Sequence, residues 1–166
     1  MKTVVIGLGN PILSDDSVGI KVAREIERFK IQNSKLKINI IEAYAGGLRL
    51  MDELIGYDRA IIIDAMVTGN VKPGSFKVLP LSSLVTTRNI SCTHDTNILT
   101  AIEFGKMLGL KLPDDITIIG IEAKDVETFA EELTDDVHKA VTIVASKIVD
   151  EIIYKKGLCS EKCLDN

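Results

Sequence analysis

A chain of 166 residues suffices for one domain that buries roughly two-thirds of its unfolded surface without help from disulfides. Twenty Lys and Arg against 24 Asp and Glu give a formal charge of -4, which lacks the basic footprint of a nucleic-acid binder. The opening MKTVVIGLGN holds too short an apolar run for a membrane span, and Cys92, Cys159 and Cys163 do not resemble a secreted disulfide framework, so a cytoplasmic protein with reduced thiols is expected.

In chain order, residues 2–6 read as a buried strand, followed by a helical stripe of Val18, Val22, Ile26 and Phe29. Residues 36–41 and 59–63 are further strands, and GSFKVLPL at 74–81 alternates as an edge strand does. A second stripe joins Ile98, Ala101, Ile102 and Met107; residues 116–121 form another strand; and Val137, Val141, Val144, Ile148 and Ile152 mark the last helix. Strands alternating with helices predict a three-layer α/β/α sandwich around a central, mostly parallel twisted sheet of about five strands. The expected domain runs over 1–155, with 156–166 a loose tail.

The first strand runs into GLGNPILSDDSVG. Gly7 and Gly9 suggest a phosphate loop, but Ile12 stands where a dinucleotide fingerprint has its third glycine, and no Gly-Lys-Ser/Thr follows. Asp15 and Asp16 occupy the helix mouth, where a polyphosphate would be repelled. With Ser14 they can cap the helix, though one acid is enough for that.

A second acid, Asp64, closes the strand RAIIIDAM beside the first loop, where ligands of open α/β sheets gather; alone, it reads equally as a turn-forming Asp. A third element, SCTHDTNIL, places His94 just after a potential cap at Thr93. Two carboxylates and one imidazole from three strand-end loops can bind a borderline divalent ion and leave positions open for another molecule's donors.

These segments, GLGNPILSDDSVG, IIIDAM, Ser91 to Asp95 and IIGIEA, resemble those of the hydrogenase maturation endopeptidases over about Met1 to Ile152. The resemblance implies removal of the C-terminal extension from the large-subunit precursor of a nickel-iron hydrogenase. It also implies that Asp16, Asp64 and His94 meet nickel already inserted in that substrate, so that cutting waits for insertion. The isolated protein then needs no metal of its own. Asp16 or Asp64 is open to a general-base role, and the nucleophile stays unassigned. Gly9, Asn10, Glu42 and Gly47 become candidates for holding substrate.

Where many relatives carry Asp-Gly-Gly-Thr-x-Gly, this chain reads EAYAGG, with Glu42 at the acid, Tyr44 at a glycine and Ala45 at the threonine. Ser17 stands where glycine is common after the acid pair. Glu122 at the end of IIGIE is a further cleft candidate, Cys159 and Cys163 permit a half metal site if helical, and His138 is expected in solvent. The competing readings are a non-catalytic module that binds a partner's nickel centre, a nucleotide-binding domain on the Gly7–Gly9 loop, and a peptidase holding its own zinc.

Overall fold

A computed structural model describes residues 1–32, 37–81 and 98–154. Its elements are β1 (Thr3–Leu8), a 3-10 turn (Asp15–Ser17), α1 (Val18–Gln32), β2 (Ile38–Ala43), α2 (Gly47–Leu54), β3 (Arg59–Met66), β4 (Phe76–Pro80), α3 (Ile98–Met107), β5 (Asp115–Glu122) and α4 (Asp135–Tyr154). The strands form one five-stranded sheet in the order β2-β1-β3-β5-β4. The first four are parallel, and β4 runs antiparallel along the β5 edge.

Each face of the sheet carries its own core. Val5, Ile61, Ile63 and Ile119 pack with Val18, Val22 and Ile26 of α1 and Val137, Val144 and Ile148 of α4. On the other face Val4, Ile6, Ile62 and Ile118 pack with Leu50, Met51 and Leu54 of α2 and Ile98, Ala101 and Ile102 of α3. The result is the expected three-layer α/β/α sandwich. Runs such as AIIIDAM in β3 are buried throughout because helices cover both sides.

Several details differ from the sequence reading: β1 runs on to Leu8 and β3 to Met66, so Asp64 lies inside the strand rather than closing it. α2 lies where no helix is expected; at eight residues it is short, and Leu50, Met51 and Leu54 supply a single apolar stripe. Met107 does not belong to the α3 stripe: it is 84% exposed, and Gly105 takes the position seven residues after Ile98. β2 is a sheet edge and only half buried, and it ends two residues later than expected.

The glycines of the opening loop are explained by packing. A Cβ on Gly7 would collide with the Gly19 carbonyl and Ala23 of α1, and one on Gly19 with the carbonyls of Leu8 and Ile63. α1 therefore lies directly on the backbones of β1 and β3. The space a phosphate would need beside Gly7 is filled by helix.

Candidate active site

The strand order places a topological switch between β1 and β3, since the chain moves from β1 to β2 on one side and then crosses to β3 on the other. The loop after β1 and the end of β3 flank that point. Gly9 has φ +153 and would collide through a Cβ with the Asp16 carbonyl, so this loop folds tightly against the 3-10 turn. Its N–H donates to the Ala43 carbonyl at 3.1 Å, joining the loop to the end of β2. Asn10 N–H donates to Asp16 Oδ2 at 2.9 Å, and Asn10 Oδ1 accepts from Ile12 N–H at 3.2 Å. The NPI segment thus closes a small ring that fixes the Asp16 carboxylate.

Asp64 follows Ile63 in β3 and pairs in register with Gly120 of β5. Because Ile63 and Ala65 face α1 and α4, strand alternation puts the Asp64 side chain on the α2/α3 face. Its Oδ1 accepts from Ala65 N–H at 2.9 Å. Both acids are withdrawn from water, Asp16 at 1% and Asp64 at 0% exposure.

The capping role expected of Ser14 and Asp15 is replaced by something else. Ser14 makes no side-chain cap; its hydroxyl donates to the Glu132 carbonyl at 3.0 Å. Asp15 accepts four hydrogen bonds, from the N–H groups of Lys124, Asp125 and Thr134 and from Thr134 Oγ1, all at 2.8 to 2.9 Å. It clamps residues 124–134 onto the opening loop. Nothing local in the sequence signals this, because Asp15 and Thr134 are 119 residues apart. Inside the clamped segment the Thr128 hydroxyl and the N–H groups of Thr128 and Glu127 hold Asp125 below the usual carboxylate range.

Glu122, a cleft candidate by sequence, is buried and occupied otherwise. Its carboxylate accepts from the N–H groups of Thr68 and Gly69 at 2.9 and 2.7 Å and from Thr68 Oγ1 at 2.8 Å, closing the turn after β3. Glu42 faces α1, where Arg24 donates to both of its oxygens at 2.8 Å. The Arg24 hydrogen bonds and charge hold Glu42 below the ordinary carboxylate range, against a smaller opposing effect of burial. Gly47, at φ 60, opens α2. His138 is exposed on α4.

His94 lies outside the described residues, as do Cys92, Cys159, Cys163 and the expected tail. Among the described residues no cluster of three or more His, Cys, Asp or Glu is placed to hold a metal. A cleft of 460 Å³ beside α1 and β2 and another of 490 Å³ between α1 and α4 are lined by neither Asp16 nor Asp64. Both belong to the α1 surface, away from the switch point.

A mostly parallel sheet with buried acids beside its switch point belongs to the open α/β folds, whose ligand sites lie at the strand carboxyl ends. Within that class, the profile of the hydrogenase maturation protease family HycI matches residues 20–151, a span that includes Asp64 and His94 and begins just after Asp16. The chain belongs to this family and is a hydrolase that acts as an endopeptidase. It is 24% identical over 129 residues to the hydrogenase 2 maturation protease of Escherichia coli, covering 76% of each chain. It is 25% identical over 143 residues to the hydrogenase expression/formation protein HupD of Bradyrhizobium diazoefficiens, covering 84% of this chain and 72% of that one. Among solved structures, the maturating endopeptidase HybD of Escherichia coli superimposes with a TM-score of 0.74 at 20% identity, over 93% of this chain and 94% of that one. HybD of Thermococcus kodakarensis gives 0.65 at 26% identity, over 92% and 99%.

Proposed function

We propose that this endopeptidase works in the cytoplasm and removes the C-terminal extension of a nickel-iron hydrogenase large-subunit precursor after nickel insertion, with the substrate's own nickel as the recognition element. Asp16, Asp64 and His94 are the groups that meet it. The observation that carries this reading is the pair of buried carboxylates, Asp16 and Asp64, on the two flanks of the sheet's switch point. Carboxylate and imidazole suit nickel, and a set with fewer than four protein donors leaves room for ligands from the substrate.

The turn after α3 meets the amino end of the sheet, where Lys111 O accepts from Gly56 N–H at 2.8 Å, so Ile98 at the other end of the helix stands toward the strand carboxyl ends. His94 precedes Ile98 by four residues in the sequence.

Bound nickel supplies a fixed positive charge that orients the precursor. The protein's own residues do the rest in this reading. Asn10 N–H holds one oxygen of Asp16, so that carboxylate is aimed before substrate arrives. Asp16 or Asp64 accepts a proton from the attacking water. Gly9, Asn10, Glu42 and Gly47, at the ends of β1 and β2, form the ledge along which the peptide lies.

The test incubates the full chain with nickel-loaded and nickel-free precursor and follows the mass of the large subunit. Cleavage of the loaded form alone is expected. Equal cleavage of both overturns nickel recognition. A stable complex with intact precursor after prolonged incubation identifies a non-catalytic binding module instead.

A further inference from the structure

Gly120 interrupts β5, a buried strand between β3 and β4, where a residue without a side chain adds no packing and weakens the strand. Its φ is not positive, so backbone conformation does not call for glycine there. Space does. A Cβ at this position would stand 2.9 Å from Met66 Sδ and 3.5 Å from both Met66 Cγ and Leu79 Cδ1.

Gly120 is the register partner of Asp64, and Glu122 that of Met66. Because Ile62 and Ile118 face α2 and α3, alternation puts Asp64, Met66 and position 120 on that same face. A side chain at 120 would be the lateral neighbour of Asp64, one strand spacing of about 4.8 Å away. Met66 leans across from β3 and takes that place. It is itself pinned: its carbonyl accepts from Ala123 N–H at 2.9 Å, Glu122 closes the turn at Thr68 and Gly69 just beyond it, and its side chain is 1% exposed.

We propose that Met66 is a positioning residue for Asp64, admitted to its place by the missing side chain of Gly120, an inference that rests on the role given to Asp64 above. A carboxylate on one methylene turns about two side-chain bonds, and Ala65 N–H, donating to Oδ1 at 2.9 Å, restrains it from its own strand. The Met66 side chain limits its swing toward β5 and keeps water out of the gap over Gly120. An unbranched thioether suits that gap, because it adapts to irregular space where a branched side chain does not. Asp64 thus meets its substrate already aimed, and a shift of about 1 Å in such a group costs up to about 100-fold in rate.

The full chain is assayed for kcat and KM on nickel-loaded precursor as wild type, Met66→Leu, Met66→Ala and Gly120→Ala, each also combined with Asp64→Asn, with circular dichroism as a check on folding. Met66→Ala and Gly120→Ala are each expected to lower kcat about 10-fold with KM within about twofold, while Met66→Leu, which fills a similar volume, stays within about threefold of wild type. In the Asp64→Asn background the same substitutions leave the residual rate unchanged, since they act only through that carboxylate. A general loss of stability would lower both backgrounds alike. If Gly120→Ala does not fold, Met66→Ala decides. A kcat for Met66→Ala within about twofold of wild type, or an equal fall in the Asp64→Asn background, overturns the proposal. Slow Asp64→Asn beside an unaffected Met66→Ala removes this inference alone; Asp64→Asn at the wild-type rate, or wild type that cuts no precursor, removes the reading of Asp64 and this inference with it.

Discussion

Apart from the Arg24–Glu42 pair at the end of β2, the two ends of the sheet hold their acids in different ways. At the amino end, acids meet cations: Lys111 reaches Asp58 at 2.7 Å, and Arg59 reaches Asp115 at 3.0 Å and Glu151 at 2.9 Å. At the carboxyl end, the buried acids Asp15 and Glu122 are held by backbone N–H groups and a threonine hydroxyl each. Ion pairs near solvent are weak and replaceable. A buried carboxylate that gathers several N–H donors is neither, because removing it leaves all of those donors without water or partner. Strength is concentrated in the opening loop and in the turn after β3, the segments next to Asp16 and Asp64.

The comparison breaks most visibly if a carboxyl-end acid turns out to be dispensable. Asp16→Asn retains an acceptor for Asn10 N–H and removes the charge, as Asp64→Asn does for Ala65 N–H. Either is expected to lower cleavage of nickel-loaded precursor by about 100-fold or more, with unchanged circular dichroism. Activity within a few fold of wild type would take that residue out of the site.

Asp15→Ala strands three N–H donors and one hydroxyl, and its expected cost is about 3 kcal/mol in urea unfolding. Loss of less than 1 kcal/mol would show that the 124–134 segment is not held by this clamp. At the other end, Arg59→Ala gives up a pair with the exposed Asp115 and a largely buried pair with Glu151, and should cost about 2 kcal/mol with kcat intact.

The smallest effect is a pH dependence. Arg24 depresses the folded-state pKa of Glu42, so this pair contributes stability above the unfolded carboxylate value of about 4.3, and the contribution is lost as pH falls through the folded value. With both side chains partly in solvent, Arg24→Ala should flatten the acid limb of the stability curve by under about 0.5 kcal/mol. A flattening on the alkaline side instead would refute the assignment.

Much of the fold is legible in local pattern. The β-branched runs at β1, β3 and β5 and the stripe from Val18 to Phe29 each report a periodicity that a single element imposes on itself. α2 escapes because eight residues hold only two turns, too few for a stripe to stand out. Met107 misleads because an apolar residue at a helix end is free to point at water. Asp16 and Asp64 are readable as acids near strand ends, whereas Asp15 and Glu122, carboxylates too, differ in what folds against them.

The sequence by itself determined which side chains are available and at which strand ends they emerge, since alternation of strand and helix follows from hydrophobic period within short windows. Only the tertiary structure decided how those acids are used: one carboxylate is ringed by Asn10, its neighbour clamps a segment 119 residues away, and glycines that look like a phosphate loop make room for α1. A hydrogen bond or a close approach between distant segments depends on where two backbones cross in space, and no window of neighbouring residues encodes that crossing.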